Sequence, residues 1–430
     1  MTTRQVRVLY VCPFAHDLAS YSFMAFYESN ALSQAGVEVE LLTFKGLLDE
    51  AEVKVPQHTV RQYITLALPV YHFANLLRKW RYTRMLAKLI EYSMTVAVAV
   101  RLKRKLNYDV IHLREGDPFL FMLHLLNLPL RGYSWAVVLI GAELVAHSAT
   151  TASISKNPKQ FISSMFIRTM NSNLWKTIYT RSLARNNFVY LTENEAIKSS
   201  FEPYMQGVLA GRIFCLPLGV NKVDRTILKE EARKYLGIPV KKSVFLCFGS
   251  PHTGKDWEVI YHALKEIPDV ILLHGGDQRL DDRGVSLQLP NSVDLAARYS
   301  MQDRVVIKDH YISEEEKPYY FFAADVIILS YTRQFLSNAS SLWEACRFEI
   351  PVIISDNEQF KEIMEKYKPG LVFKAEEPDS LKETAWRFLN LSEEERITFR
   401  VNCRKFKDSF PIDRWAEQCL AIYQEYLLRK

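Results

Sequence analysis

Along this chain, short apolar runs alternate with longer stretches whose apolar residues recur every three or four positions. VRVLYVCPF (6–14) is β-branched and almost uninterrupted, as a parallel strand covered on both faces requires. Behind it, Phe23, Phe26, Ala31 and Leu32 share one helical face that stops at Ala35-Gly36, where the glycine is the expected C-cap. VEVELLTF (37–44) is the next strand and completes a β-α-β unit. The strand pattern returns at YDVIHL (108–113), WAVVLI (135–140) and NFVYLT (187–192). It starts afresh with SVFLCFG (243–249), VILLHGG (270–276), RVVIKDH (304–310), ADVIILS (324–330) and PVIISD (351–356). Between these lie helical segments such as DWEVIYHALKEI (256–267) and EEEKPYYFFAA (314–324).

Strands alternating with helices predict parallel sheets covered on both faces, so the fold class is α/β. With 430 residues the chain is long enough for two domains, and the pattern repeats once. The expectation is two tandem Rossmann-like doubly wound domains, 1–207 and 208–409, followed by a final helix at 410–430. Ligands of such sheets bind outside the carboxyl ends of the strands, which places the expected site in a cleft that the two domains face.

A composition of 48% hydrophobic and 24% charged residues excludes a disordered chain, a collagen-like repeat and a coiled coil. With Gly 15 and Pro 17, long flexible linkers are not expected. The six cysteines are scattered without a C-x-x-C pair, which argues against a disulfide framework or a structural zinc site and fits a reducing compartment. The N-terminus runs straight into a strand without a signal-peptide pattern. The longest apolar stretch, Met85 to Val100, holds Lys88 and Glu91 and is too short to cross a bilayer. The expectation is a soluble, cytoplasmic protein.

Charge divides the chain. Residues 1–200 carry 23 Lys/Arg against 14 Asp/Glu, whereas 201–430 carry 32 against 35. Residues 76–105 hold nine Lys/Arg and one acid, Glu91. No acid stands between Glu143 and Glu193, an interval that includes Phe161, Phe166, Trp175 and Tyr179 among basic residues. Basic amphipathic helices with aromatics suit an anionic membrane surface at the inner face of the cell membrane. The plainer reading is helices packed on the sheet with solvated basic faces. No motif for RNA or DNA is present, so nucleic acid is not an expected partner.

Motifs then narrow the second half. FCLPLGVN (214–221) resembles the "I-P-x-G-V-D" opening of the nucleotide domain in GT-B glycosyltransferases of the group 1 type. FGSPHTGKDWEVIYHAL (248–264) resembles their "G-R-x-x-x-x-K-G-x-x-x-L-I-x-A" loop and helix. HYISEEEKPYYFFAADVIILSY (310–331) resembles "G-x-V-S-x-E-E-L-x-x-x-Y-x-x-A-D-V-x-V-x-P-S". SNASSLWEACRFEIPVIISD (337–356) resembles "G-F-G-L-x-x-L-E-A-M-A-x-G-x-P-V-I-A-S-D", and FPIDRWAEQCLAIYQEYLL (410–428) resembles the final helix, which in the family crosses back onto the first domain. Five stretches in order over 210–428 make the resemblance specific. The first half matches in layout, with WAVVLIGAEL (135–144) resembling "V-V-x-T-x-H-G-x-D-L", so that Gly141 and Glu143 take the Gly and acidic positions.

The resemblance implies transfer of a sugar from a nucleotide-sugar donor, with retention at the anomeric carbon and no bound metal or other cofactor. Helix starts and basic side chains then neutralise the leaving diphosphate. Gly249 and Ser250 lie in the matched loop and Lys255 takes the family's Lys position; a solvated lysine at a helix start is the plain alternative. Asn338, Ala339 and Ser340 lie in the small-residue segment that would meet phosphate, although such a run also serves as an ordinary N-cap. Glu344 aligns with the second Glu of an E-x7-E pair that holds ribose; the alternative is a structural ion pair. Tyr311 belongs to the loop that receives the nucleobase.

Three positions depart from the pattern: Leu336 replaces the first Glu of the pair, Ser250 an Arg, and Ile140 a His. PFAHDLASYSF (13–23) stands where a Gly-Gly loop is usual and supplies the acceptor-side candidates Phe14, His16 and Asp17. Arg333 is the candidate to replace the charge missing at Ser250, and His16 or His147 the missing imidazole. Asp17, Glu115, Asp117 and Glu143 are candidate carboxylates. A general base among them would favour inversion rather than retention. Two readings stay open. One is a transferase acting on a glycan or lipid-linked acceptor at the cytoplasmic membrane face, in polysaccharide or glycoconjugate biosynthesis. The other is a non-catalytic transferase-like subunit that binds a nucleotide or a partner. An epimerase or phosphorylase on the same architecture has less motif support.

Overall fold

The computed structural model describes residues 5–12, 20–42, 76, 84–114, 134–139, 187–201, 211–223, 225–249, 254–276, 291–310, 312–333, 335 and 338–428. The chain divides into two compact units. Unit 1 is Met1–Gly219 with Leu336–Asn338 and Ile412–Lys430; unit 2 is Val220–Phe335 with Ala339–Pro411.

Unit 1 is built on β1 (Arg7–Val11), α1 (Ser20–Gln34), β2 (Glu38–Leu42), α2 (Arg84–Leu106), β3 (Val110–Leu113), β4 (Ser134–Leu139), β5 (Asn187–Thr192), α3 (Glu195–Phe201) and β6 (Ile213–Cys215). Its six strands are all parallel in the order β2-β1-β3-β4-β5-β6. The order reverses between β1 and β3, as in flavodoxin-like sheets. Phe26, Ala31 and Leu32 of α1 are buried, as the helical spacing predicts. The helix ends at Gly36, whose φ of 88° is left-handed.

The C-terminal helix α12 (Ile412–Ile422) and the π-turn Tyr423–Leu427 belong to this unit. Trp415, Ala416, Cys419, Tyr423 and Leu427 complete its core with Val8, Tyr10 and Leu32. The Leu427 carbonyl accepts hydrogen bonds from Asn187 Nδ2 at 2.8 Å and Ser134 Oγ at 3.1 Å, which fixes the tail at the starts of β5 and β4.

Unit 2 follows with α4 (Lys229–Leu236), β7 (Ser243–Phe248), α5 (Trp257–Leu264), β8 (Val270–Gly275), α6 (Ser292–Arg298), β9 (Val305–Lys308), α7 (Lys317–Ala323) and β10 (Val326–Leu329). It continues with α8 (Ser340–Arg347), β11 (Val352–Ser355), α9 (Glu358–Lys366), β12 (Gly370–Phe373), α10 (Pro378–Leu389) and α11 (Glu393–Ser409). Its six parallel strands run β12-β11-β10-β7-β8-β9, the Rossmann order with its reversal between β7 and β10. Every residue of β8 is buried, because helices cover both faces of the sheet.

The architecture agrees with the α/β expectation of two Rossmann-like doubly wound sheets, with local differences. Strands β6 and β12 and helices α10 and α11 were not read from the pattern. Helix α7 begins at Lys317 rather than Glu314, and the turn before it is closed by Ser313 and Glu316, each backbone N–H donating to the other's side chain at 3.2 Å. Asp256 precedes α5 as its N-cap, accepting from the Val259 N–H at 3.3 Å. The basic interval 160–185 lies outside the described residues. Among the described residues, no helix is long and apolar enough to cross a membrane.

Candidate functional site

The reversal point of unit 2 sets where the chemistry gathers. From β7 the chain turns to β8 on one side, and from β10 to β11 on the other, so the loops leaving β7 and β10 diverge above a crevice at their carboxyl ends. Gly249 is the first residue after β7, with φ 97° and its N–H bonded to the Gly275 carbonyl at 2.9 Å. The returning arm of that loop pairs with the segment after β10. Lys255 and Tyr331 form an antiparallel bridge, Thr332 N–H donates to the Gly254 carbonyl at 2.9 Å, and Asp256 N–H to the Ser330 carbonyl at 3.0 Å.

This pairing turns the Lys255 side chain back across the loop, where Nζ donates to the Phe248 carbonyl at 3.0 Å. A Cβ on Gly249 would meet that Nζ at 2.8 Å, so only glycine leaves the ammonium its place. Gly276 is equally constrained: its φ is 144°, and a Cβ there would lie 2.7 Å from the Gly249 backbone. Burial lowers the Lys255 pKa to about 8. The nearby His274 is held at about 3, by burial first and then by the Lys255 charge, so it is neutral and adds no second cation. Its ring shares a hydrogen bond with Ser292 Oγ at 2.6 Å and packs edge-on against Trp257.

Helix α8 begins beside the same spot. Its N-cap residue is Ala339, which is buried and has no side chain to cap the helix, so this end carries no side-chain cap. Ser340 and Ser341 form the first turn rather than preceding the helix. A Cβ on Gly249 would stand 4.0 Å from Ser341 Oγ, and the buried Tyr331 phenol is hydrogen-bonded to Ser341. A glycine turn, an ammonium, two hydroxyl residues and a helix start therefore converge, a combination that suits an anion.

Glu344 lies one turn further along α8. Its carboxylate pairs with Lys317 Nζ at 3.4 Å through Oε1 and with Arg347 Nη1 at 3.2 Å through Oε2. Glu314 joins both cations: it is ion-paired to Lys317 and lies 2.9 Å from Arg347 Nη1. Burial alone would raise the Glu314 pKa, but the charges of Lys317 and Arg347 outweigh it and hold it at about 2.

Of the residues named from sequence, the structure brings Gly249, Lys255, Ala339 and Ser340 together, with Glu344 on the same helix. Arg333 is turned elsewhere. Its guanidinium meets the Ala375 carbonyl at 3.2 Å and Glu377 at 3.0 Å, and its N–H donates to Glu376 at 3.0 Å, so the 375–377 loop takes the charge that was assigned to the phosphate clamp. Asn338 groups with unit 1. Phe14, His16, Asp17, Glu115, Asp117, Ile140, Glu143, His147, Ser250, Tyr311 and Leu336 lie outside the described residues. Sequence reasoning placed Ser341 in the small-residue run that would meet phosphate, but passed over Tyr331, Lys317 and Arg347. For the last two a signal existed, because the quoted motifs carry Leu and Ala at those positions.

Among the described residues, no group of three His, Cys, Asp or Glu stands close enough to hold a metal ion. Unit 1 has its own buried charge group: Arg114 after β3 pairs with Glu28 of α1 at 3.0 Å and with Glu193 after β5 at 2.6 Å.

Comparison with known proteins bears on the whole arrangement. The family model described as "Glycosyl transferases group 1" matches residues 229–406. No protein of curated function matches the chain in sequence. Among solved structures, a sucrose-phosphate synthase from Thermosynechococcus elongatus is 16% identical with a TM-score of 0.72, covering 98% of this chain and 99% of that one. A glycosyltransferase from Rickettsia africae is 14% identical with a TM-score of 0.68, covering 100% of both chains. Anabaena HepE, determined in complex with UDP and glucose, is 13% identical with a TM-score of 0.63, covering 98% of this chain and 100% of that one. Residues 229–406 thus carry the signature of the group 1 glycosyl transferases, on a chain whose two-domain α/β fold is that of the GT-B glycosyltransferases.

Proposed function

We propose that the chain transfers a sugar from a nucleotide-sugar donor whose diphosphate lies against the start of α8. The observation that carries this reading is the Lys255 ammonium, fixed at the carboxyl end of β7 beside Gly249 and Ser341 at the sheet's reversal point. The backbone N–H groups of Ser340 and Ser341 and the helix dipole face the diphosphate, and Lys255 neutralises the charge that develops as the nucleotide leaves. Glu344, deeper on the same helix, accepts hydrogen bonds from the ribose. No metal or other cofactor enters this scheme. The acceptor is a glycan or a lipid-linked sugar, presented at the cytoplasmic face of a membrane to which the basic first unit is attracted. Polysaccharide or glycoconjugate assembly is the setting this acceptor class fits.

HepE is similar in fold and was seen with UDP and glucose, so UDP is the first nucleotide to try. A thermal-shift panel of UDP, GDP, ADP and CMP selects the base, since a ligand of the folded state raises its melting temperature. Donor turnover with the matching nucleotide sugars, in wild type and Lys255→Met, then tests the reaction. The reading fails if no nucleotide binds, or if Lys255→Met binds and turns over as the wild type does.

A second reading, nucleotide binding without turnover, is favoured by Arg333, whose charge is spent on the 375–377 loop while Ser250 offers none in its place. Binding without hydrolysis or transfer of any donor would select it.

A further inference from the structure

Two side chains depart from the group 1 pattern together, and both end on Glu344. Over 310–331 the motif has Leu where this chain has Lys317, and over 337–356 it has Ala where this chain has Arg347. An apolar and a small residue are replaced by two long cations whose side chains are only 10% and 6% exposed. Buried cations are costly unless they are paired and hydrogen-bonded. Both are: Lys317 spans Glu314 and Glu344, and Arg347 spans the same two acids and donates through Nη2 to the Lys222 carbonyl at 3.1 Å. Two cations and two anions make the group neutral, so it neither attracts nor repels a diphosphate as a whole.

Its effect is local. Each oxygen of Glu344 faces one cation, Oε1 Lys317 and Oε2 Arg347, which restrains the rotamer of the carboxylate. A carboxylate offers about four acceptor positions, so two stay open after both cations are counted. We infer that Lys317 and Arg347 are positioning residues that hold the Glu344 carboxylate in register for two adjacent hydroxyls of a nucleotide ribose. This rests on the proposed reading of unit 2 as a nucleotide-sugar site. Glu314 is the counter-anion that makes the two added cations tolerable. A purely structural ion-pair group would change stability when altered, but would leave the recognition of individual hydroxyls unchanged.

The experiment uses the full chain and calorimetric titration with UDP, GDP and ADP, each paired with its 2′-deoxy form. The nucleotide that binds wild type should lose about tenfold in affinity on removal of the 2′-hydroxyl, the value of one hydrogen bond to a charged acceptor. In Lys317→Leu and in Arg347→Ala that ratio should fall below about threefold, while Lys317→Arg, which keeps the cation, should hold it. Should Arg347→Ala not fold, Arg347→Lys loses the fork that spans both acids and should lower the ratio as well. Folded variants that keep the wild-type ratio overturn the inference. A wild type that binds ribose and deoxyribose nucleotides equally removes the ribose role of Glu344 and this inference with it. A wild type that binds none of the three overturns the donor-site reading itself.

Discussion

Lys255 Nζ donates to the carbonyl of Phe248, the last residue of β7, at 3.0 Å. The bond folds the lysine back over the glycine turn at the point where the sheet reverses, and burial lowers its pKa to about 8. A bound diphosphate favours the charged form, so nucleotide binding and protonation of Lys255 are linked. Affinity for a nucleoside diphosphate should be flat below pH 8. Above it, affinity should fall by up to about tenfold per pH unit as one proton must be taken up on binding. Titrations between pH 6.5 and 9.5 measure this slope. In Lys255→Met the affinity should be weaker at neutral pH and nearly independent of pH over the same range.

The buried charges of unit 1 make a prediction in the same direction with pH, for stability rather than affinity. Glu28 is fully buried, hydrogen-bonded by the Tyr10 hydroxyl and paired with Arg114, which Glu193 shares. Burial raises the Glu28 pKa to about 7, outweighing the opposing pull of Arg114 and Tyr10. Its folded pKa therefore exceeds its unfolded value of 4.5. The folded chain holds the proton more tightly, so this contribution to stability is complete below pH 4.5 and is lost as pH rises through 7. The loss is on the order of 3 kcal/mol. Glu28→Gln removes the titration. The difference between wild-type and variant unfolding free energies, by denaturant melts at pH 5.5 and 8, should move against the wild type at the higher pH. Equal differences at both pH values would place the Glu28 pKa in the ordinary range.

Strands such as β8 were legible because all of their residues are buried, so the sequence shows an unbroken apolar run. Strands β6 and β12 sit at the two sheet edges, where pairing on one side is enough; they are three and four residues long, and Val372 is exposed within β12. In these two the apolar run is too short or broken to stand out, whereas the edge strands β2 and β9 could be read. At the site, Gly249, Lys255 and Glu344 were legible because the motifs fix them by spacing along the chain. Tyr331 with Ser341, and Lys317 with Glu344, are partners only across the fold, and spacing does not report such pairs. The contacts of Arg333 were not legible for a related reason: a long side chain can reach several neighbours, and here it meets the 375–377 carbonyl and carboxylates.

Glu349 tests the cost of a substitution at a glycine position. The quoted motif has Gly there, and the structure explains why: Glu349 has a left-handed φ of 58°. Its carboxylate is held by Arg404 at 2.6 Å and by Lys407, both from α11. Glu349→Ala keeps the strained backbone and loses both ion pairs, so it should lose about 1 kcal/mol. Glu349→Gly loses the same pairs but relieves the backbone, which offsets about 1 kcal/mol, so it should lie within about 0.5 kcal/mol of wild type. Denaturant unfolding of the three proteins compares them directly. A glycine variant as unstable as the alanine one would show that the ion pairs, and not the φ angle, govern this position.

The last turn of α2 gives the proposed membrane attraction a face to test. Arg101, Arg104 and Lys105 are exposed and fall at i, i+3 and i+4, on one helical face. Lys103, between them, is turned inward: its ammonium donates to the Tyr108 carbonyl at 2.9 Å and the Asp109 carbonyl at 2.8 Å, and burial lowers its pKa to about 8. The three are exposed on one face, and a cation within reach of an anionic surface is worth about 1 kcal/mol there. The full chain should sediment with phosphatidylserine-containing vesicles at low salt and be released at high salt. The triple change Arg101→Gln, Arg104→Gln, Lys105→Gln should weaken that binding at least about tenfold. Lys103→Gln should instead lower stability and leave vesicle binding per folded molecule unchanged, because its charge is spent on two carbonyls inside the protein. Equal sedimentation with neutral phosphatidylcholine vesicles, or a triple variant that binds like wild type, would show that this face is not the one a membrane meets.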